Sequence, residues 1–160
     1  MVAKSLGQLF EDGLRRAYYA EQRVAPILLR LADTVDDDEL SGAILRHCRE
    51  TETQEQRLEY VFELIETKAS PLRCPAIDAL IFPMVEAVDG RSTPGDPSLI
   101  AAVQLVERFE VLRYGILVAW ARLLGEVEAA DLLDANLLME EEASRDLATL
   151  AERLPSPAGL

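Results

Sequence analysis

RHCRETETQEQ, residues 46–56, lies between two apolar helical segments. Upstream, Leu40 and Ile44 are four positions apart; downstream, Leu58, Val61 and Ile65 recur at three and four, the period of an amphipathic helix. The phase runs unbroken through the polar stretch. His47, Glu50 and Gln54 therefore stand where core residues are due. A helix that turns an imidazole, a carboxylate and an amide toward its own core needs neighbours that answer them.

The same period extends over most of the chain and strand signals are nearly absent, so the expected fold class is all-α. Four long helices are predicted: 6–32, from a turn at 34–39 to about 67, 97–124 and 127–154. The first carries a stripe of Phe10, Leu14, Ala17, Val24 and Leu28, with Glu21 in its middle and Pro26 as a candidate kink. Asp36 and Glu39 stand at capping-box spacing before the second, and the DDDE run reads as that cap. A calcium loop would need further oxygen ligands at alternating positions. Between 68 and 96, Pro71, Pro75, Pro83 and Pro94 surround one short apolar segment, Ala76 to Val88, read as a long crossover carrying a short extra helix. Asp96 followed by Pro97 reads as a cap and first turn, and Gly125 as a stop. Short links make two antiparallel hairpins, and the crossover lets them pack as a four-helix bundle. The bundle is expected to span 1–154, with 155–160 as a flexible tail.

Residues equidistant from a tight turn lie level in an antiparallel hairpin, because each residue rises about 1.5 Å. Glu21 and Glu50 each sit about 14 residues from the first turn, and Glu110 and Glu140 about 15 from the second. Each helical stripe thus breaks at the same height. Glu107 and Gln54 lie a turn farther from the loops and His47 a turn nearer. Uncompensated carboxylates in an apolar interior cost many kcal/mol, so they must be protonated, paired with cations or bound to metal. Inward glutamates from four helices are how bundles build two-metal sites, and oxygen ligands with one imidazole suit iron or manganese. His47 fits a ligand as well as a core histidine satisfied by a carboxylate; Gln54 reads as a hydrogen-bond donor to a ligand before it reads as a ligand. Tyr18, Tyr19 and Tyr114 read as packing residues, with proton or radical transfer as the alternative.

The chain has 160 residues, 49% of them hydrophobic, which suits one compact domain rather than disorder. With 16 Lys and Arg against 29 Asp and Glu, the net charge of −13 opposes binding to nucleic acid and to anionic membranes. Cys48 and Cys74 have no paired spacing, as expected of reduced thiols in the cytoplasm. No apolar run is long enough for a signal peptide or a membrane span.

LFEDGLRRAYYAEQ (9–22), RHCRETETQEQRLEYVFELI (46–65), CPAIDALI (74–81) and LIAAVQLVERFEVLRYGIL (99–117) together resemble the YciF-like family of bacterial ferritin-like proteins. The resemblance covers about residues 6–154. It implies a ferritin-like bundle, a cytosolic homodimer linked to stress responses, and a site at Glu21, Glu50, Glu107, Glu110 and Glu140 with His47 and Gln54. Departures from the family pattern are Arg108 in place of histidine, Ser144 in place of aspartate, and Leu138 and Met139 in place of acids. An extra cation and fewer acids point toward a weakened, single-metal or lost site. The leading expectation is an iron or manganese protein whose two-metal site reacts with oxygen or peroxide. The competing one is a metal-free structural or adaptor bundle. Iron storage in a hollow particle has no support in the sequence, because cage formation depends on outer surfaces.

Overall fold

The computed structural model describes residues 4–153; the tail expected at 155–160 lies outside them. The helices are α1 (Leu6–Leu31), α2 (Asp38–Leu64), α3 (Pro75–Val88), α4 (Asp96–Leu124) and α5 (Val127–Arg153), with no strand among the described residues. Four long helices pack as two hairpins, α1 with α2 and α4 with α5, which meet through α2 against α5 and α1 against α4. The short helix α3 lies on α1 and α4. This is the all-α, ferritin-like four-helix bundle with a long crossover.

Local chemistry sets the boundaries. Ser5 caps α1 by accepting from the Gln8 backbone N–H while the Gln8 side chain accepts from the Ser5 N–H, a reciprocal capping box. The helix then runs continuously through Pro26. Pro75 opens α3 at a position where no backbone donor is required. Gly125 ends α4 with φ of 80°, a left-handed conformation that costs glycine little.

Two caps differ from expectation. The side chain that caps α2 is Asp37, not Asp36: it accepts from the Leu40 N–H at 2.8 Å. Gly95, not Asp96, is the residue preceding α4. The Asp96 carboxylate instead accepts from the backbone N–H groups of Asp36 (3.0 Å) and Asp37 (2.8 Å), tying the α1–α2 turn to the start of α4. That bond is made across 59 or more residues and is invisible to local spacing rules.

Apolar stripes build two core clusters. One, at the α3 end, joins Leu28, Leu31, Ile44, Ile81, Met84, Val103 and Leu147. The other joins Phe10, Leu14, Leu58, Phe62, Leu117 and Leu133. Between them all four long helices bury polar residues. The crossover is strapped down by Leu72 N–H donating to the Arg15 carbonyl, and Tyr19 Oη donates to Asp78 on α3 at 2.7 Å.

Asp96→Ala leaves two backbone donors of the α1–α2 turn without their acceptor. Loss of such charge-assisted bonds at a half-buried site should cost about 1–3 kcal/mol, lowering the melting midpoint by several degrees. An unchanged midpoint in thermal denaturation followed by circular dichroism would show that this tie contributes nothing.

Candidate metal centre

The polar layer between the two clusters contains most of the predicted set. Glu107, Glu140 and Gln54 are fully buried, Glu21 and Glu110 are 1% exposed, and His47 is 3% exposed. Glu50 differs: its side chain is 28% exposed, at the edge of the bundle. The helical wheel explains this. Each residue turns a helix by about 100°, which places Thr51 and Gln54 within roughly 40° of His47 but Glu50 roughly 60° away. Thus α1, α4 and α5 bring carboxylates to the centre, whereas α2 brings His47, Thr51 and Gln54, contrary to the expectation of an inward acid on every long helix.

His47, Glu107, Glu110 and Glu140 each offer a ligand atom, all within 4.8 Å of one another. His47 Nε2 stands 3.0 Å from Glu107 Oε1, and His47 Nδ1 stands 3.5 Å from Glu50 Oε2. Neither approach is aligned as a hydrogen bond. Both oxygens of Glu107 and of Glu110, one each of Glu21 and Glu140, and both ring nitrogens of His47 have no hydrogen-bond partner. Buried polar atoms are nearly always satisfied in folded proteins, so a cluster of orphans facing one small volume marks a place for something else.

The remaining oxygens are held. Tyr114 Oη donates to Glu21 Oε1, and Gln54 Nε2 donates to Glu140 Oε1. Asn136 Nδ2 donates to Tyr114 Oη and to the Gln54 carbonyl, each at 3.2 Å, while Arg57 donates to Asn136 Oδ1 at 3.1 Å. Gln54 therefore takes the donor role expected of it. Asn136 and Thr51 were missed by the sequence reading, although Asn136, Glu140 and Ser144 recur at i, i+4 on α5 and would have exposed the first. Tyr18 donates to Glu59 at 2.8 Å and packs edge-on against Phe62, so of the three tyrosines singled out only Tyr114 bonds a buried acid.

Charge makes the layer costly. Burial pushes Glu21 up to about 7, with the Tyr114 hydrogen bond pulling the other way. Burial, then repulsion from Glu21 and Glu107, holds Glu110 well above the usual carboxylate range; Glu140 is raised in the same way by burial, Glu110 and Glu107. Burial alone would lower His47, but attraction to Glu107 and Glu140 outweighs it and leaves the imidazole well above its ordinary value. Burial and the Glu21 charge raise Tyr114 likewise.

Among the described residues no lysine or arginine is ion-paired to these buried acids. Arg108, the departure expected to add a cation, is exposed to solvent. Arg113 instead donates to Cys74 Sγ at 3.0 Å and lies over the Phe109 ring at 4.7 Å. The donor chemistry of the central group fits a divalent cation: one imidazole from α2, an i,i+3 pair of carboxylates on α4 (Glu107, Glu110) and one carboxylate from α5 (Glu140).

Comparison with known proteins agrees with this architecture. E. coli (strain K12) protein YciF is 33% identical over 150 residues, covering 92% of this chain and 89% of the relative. The crystal structure of that stress protein superimposes with a TM-score of 0.87 over 94% of this chain and 96% of the other. YcfI from Rhodopseudomonas palustris gives a TM-score of 0.82 at 34% identity, covering 91% of this chain and 94% of its own. The bacterioferritin-related protein of Bacteroides fragilis, a dodecameric thioferritin, shares the fold with a TM-score of 0.68 at 20% identity over 91% of this chain and 84% of that one. The model of the family described as "Domain of unknown function (DUF892)" matches residues 5–156. With that match and a 33% identical relative over nearly its whole length, the chain belongs to the DUF892 family, that of YciF.

Proposed function

We propose that this is a metal-binding ferritin-like protein whose bundle core holds iron or manganese and reacts with a small oxidant. The observation that carries the reading is the set of buried carboxylate oxygens without hydrogen-bond donors, among which stand one imidazole and no lysine or arginine. His47, Glu107, Glu110 and Glu140, whose ligand atoms lie within 4.8 Å of one another, would hold one cation. Glu21, anchored by Tyr114, and Glu50, beside His47, extend the donor set toward a second. Such a metal pair, when bound, supplies electrons to dioxygen or peroxide.

The chain's own residues orient the set. Gln54 fixes one oxygen of Glu140 and leaves the other unbonded; Tyr114 does the same for Glu21 and keeps a proton at its Oη beside the carboxylate. Phe109, Leu117 and the apolar clusters exclude bulk water. The stress role of the E. coli relative and a cytoplasmic setting are carried over as part of this proposal, the latter suited by two buried, unpaired cysteines. No described helix is long and apolar enough to cross a membrane.

A homodimer belongs to the same reading. Leu112 is 64% exposed and Ile116 41%, beside Leu9 on α1. They rim a groove of about 330 Å³ that also meets Phe109 and Trp120. Gly13 lets the two helices approach closely there, since a Cβ would stand 2.8 Å from a Leu117 methyl. Such an apolar face on a highly charged chain suits a second copy.

Metal-free protein titrated with Mn²⁺ or, anaerobically, Fe²⁺ should take up the ion and melt higher, with about 2.7 kcal/mol gained at a hundred times Kd. Glu110→Gln and Glu140→Gln are neutral without taking up a proton, which the raised carboxyls must do on folding at neutral pH, so without metal each should be more stable than the parent by about 1–3 kcal/mol and melt higher. With metal the order should reverse. A parent that takes up neither ion and shows no thermal shift would favour the metal-free structural bundle. For the dimer, light scattering of Leu112→Asp/Ile116→Asp should give half the parent mass; equal masses would remove this face as the interface.

A further inference from the structure

His47, Glu107, Glu110 and Glu140 are each at most 3% exposed, so an ion must cross the helix layer to reach them. The α2–α5 side offers a way. A surface groove of about 430 Å³ and a more enclosed cavity of about 50 Å³ share Ala43, Arg46 and Asp146 as walls. The inner cavity is large enough for a few waters. Its walls include His47, with both ring nitrogens unpartnered, together with Glu50 and Glu142. Small side chains, Ala43 and Ala143, keep it open. Arg46 and Asp146, paired at 2.9 Å, join α2 to α5 between the two hollows.

We propose that divalent cations reach the buried carboxylates through this α2–α5 cleft, past Asp146 and Glu142 to Glu50 and His47, with the Arg46–Asp146 pair as its outer closure. The inference rests on the metal-binding reading above. The inner cavity sets three acids, Glu50, Glu142 and Asp146, against one arginine, whereas the outer groove balances Glu39 and Asp146 with Arg46 and Arg153, so the attraction for cations acts at and behind the closing pair. The closing pair is half-exposed on both sides, and such pairs are weak enough to open with ordinary side-chain motion. Glu50 sits where transit requires: it is partly in solvent and partly against the His47 ring. Its departure from the inward face then has a use. The groove between α1 and α4 is no rival, since neither His47 nor any buried acid of the site lines it.

The test is the rate of Mn²⁺ uptake by metal-free protein, followed as loss of the free-ion paramagnetic resonance signal, and the rate of release to a chelator. Ala143→Leu fills the cavity and should slow both by at least about tenfold, with final stoichiometry unchanged. Arg46→Ala removes the closure at an exposed position while keeping all three acids, and should speed both. That variant also decides the matter if Ala143→Leu fails to fold. Unaltered rates with full stoichiometry overturn the α2–α5 route and leave the metal-binding reading intact. No uptake by the parent overturns both.

Discussion

Repulsion within one buried layer is the constraint on which the bundle depends. Ligand atoms of Glu107, Glu110 and Glu140 lie within 4.8 Å of one another. Two unit charges at that distance repel by roughly 3 kcal/mol at an effective dielectric of about 20. Three such pairs approach 10 kcal/mol, as large as the net stability of a typical domain, about 5–15 kcal/mol. A protonated His47, within the same 4.8 Å of all three, offsets these pair repulsions, but the four groups still carry a net charge of −2, with Glu21 buried beside them, and burial penalises that charge. The layer must therefore hold protons or a cation, and its upward-shifted carboxyls describe the first of those states.

The apolar clusters on either side make that arrangement tolerable. Leu28, Ile44, Val103 and Leu147 close one side and Leu14, Leu58, Leu117 and Leu133 the other, each fully or nearly fully buried. Two independent cores of this kind hold the four helices in register whether or not the acids between them are compensated. A polar layer flanked in this way is positioned by packing it does not itself supply, which is the condition for a preorganised site.

Much of this was legible in the sequence because helix period and chain height are both simple arithmetic. The breaks at Glu21, Glu107, Glu110 and Glu140 read directly from stripes, and all four are buried. The same arithmetic set Glu50 level with Glu21 but, taken alone, ignored rotation: a residue at the correct height and roughly 60° off the inward line faces the rim. Asn136 was overlooked because asparagine carries no charge to draw notice, although it bonds Tyr114 and Gln54 at once. Asp96 was misassigned for a different reason. Its partners belong to the other hairpin, and no local pattern encodes a bond between distant turns. Arg108 shows the converse risk of reading a substitution by its charge alone, since its place on α4 is exposed.

The two sides of the polar layer are unlike, and the difference bears on function. Toward the Phe10–Leu133 cluster, Arg57, Asn136, Tyr114 and Gln54 form a connected hydrogen-bonded chain that ends on Glu21 and Glu140. Networks of this kind fix side chains in one geometry and admit little motion. Toward the opposite cluster the buried polar side chains are His47, Glu107 and Ser144, none with a hydrogen-bond partner. A site held by hydrogen bonds on one side and unbonded on the other opens more readily from the unbonded side, where the tie to be broken is the half-exposed Arg46–Asp146 pair. His47 is the residue through which that side meets the α2–α5 cleft, and it is also the layer's only imidazole. The polar residue that first interrupted the apolar stripe of the second long helix is thus both a wall of the route inward and a member of the cluster to which it leads.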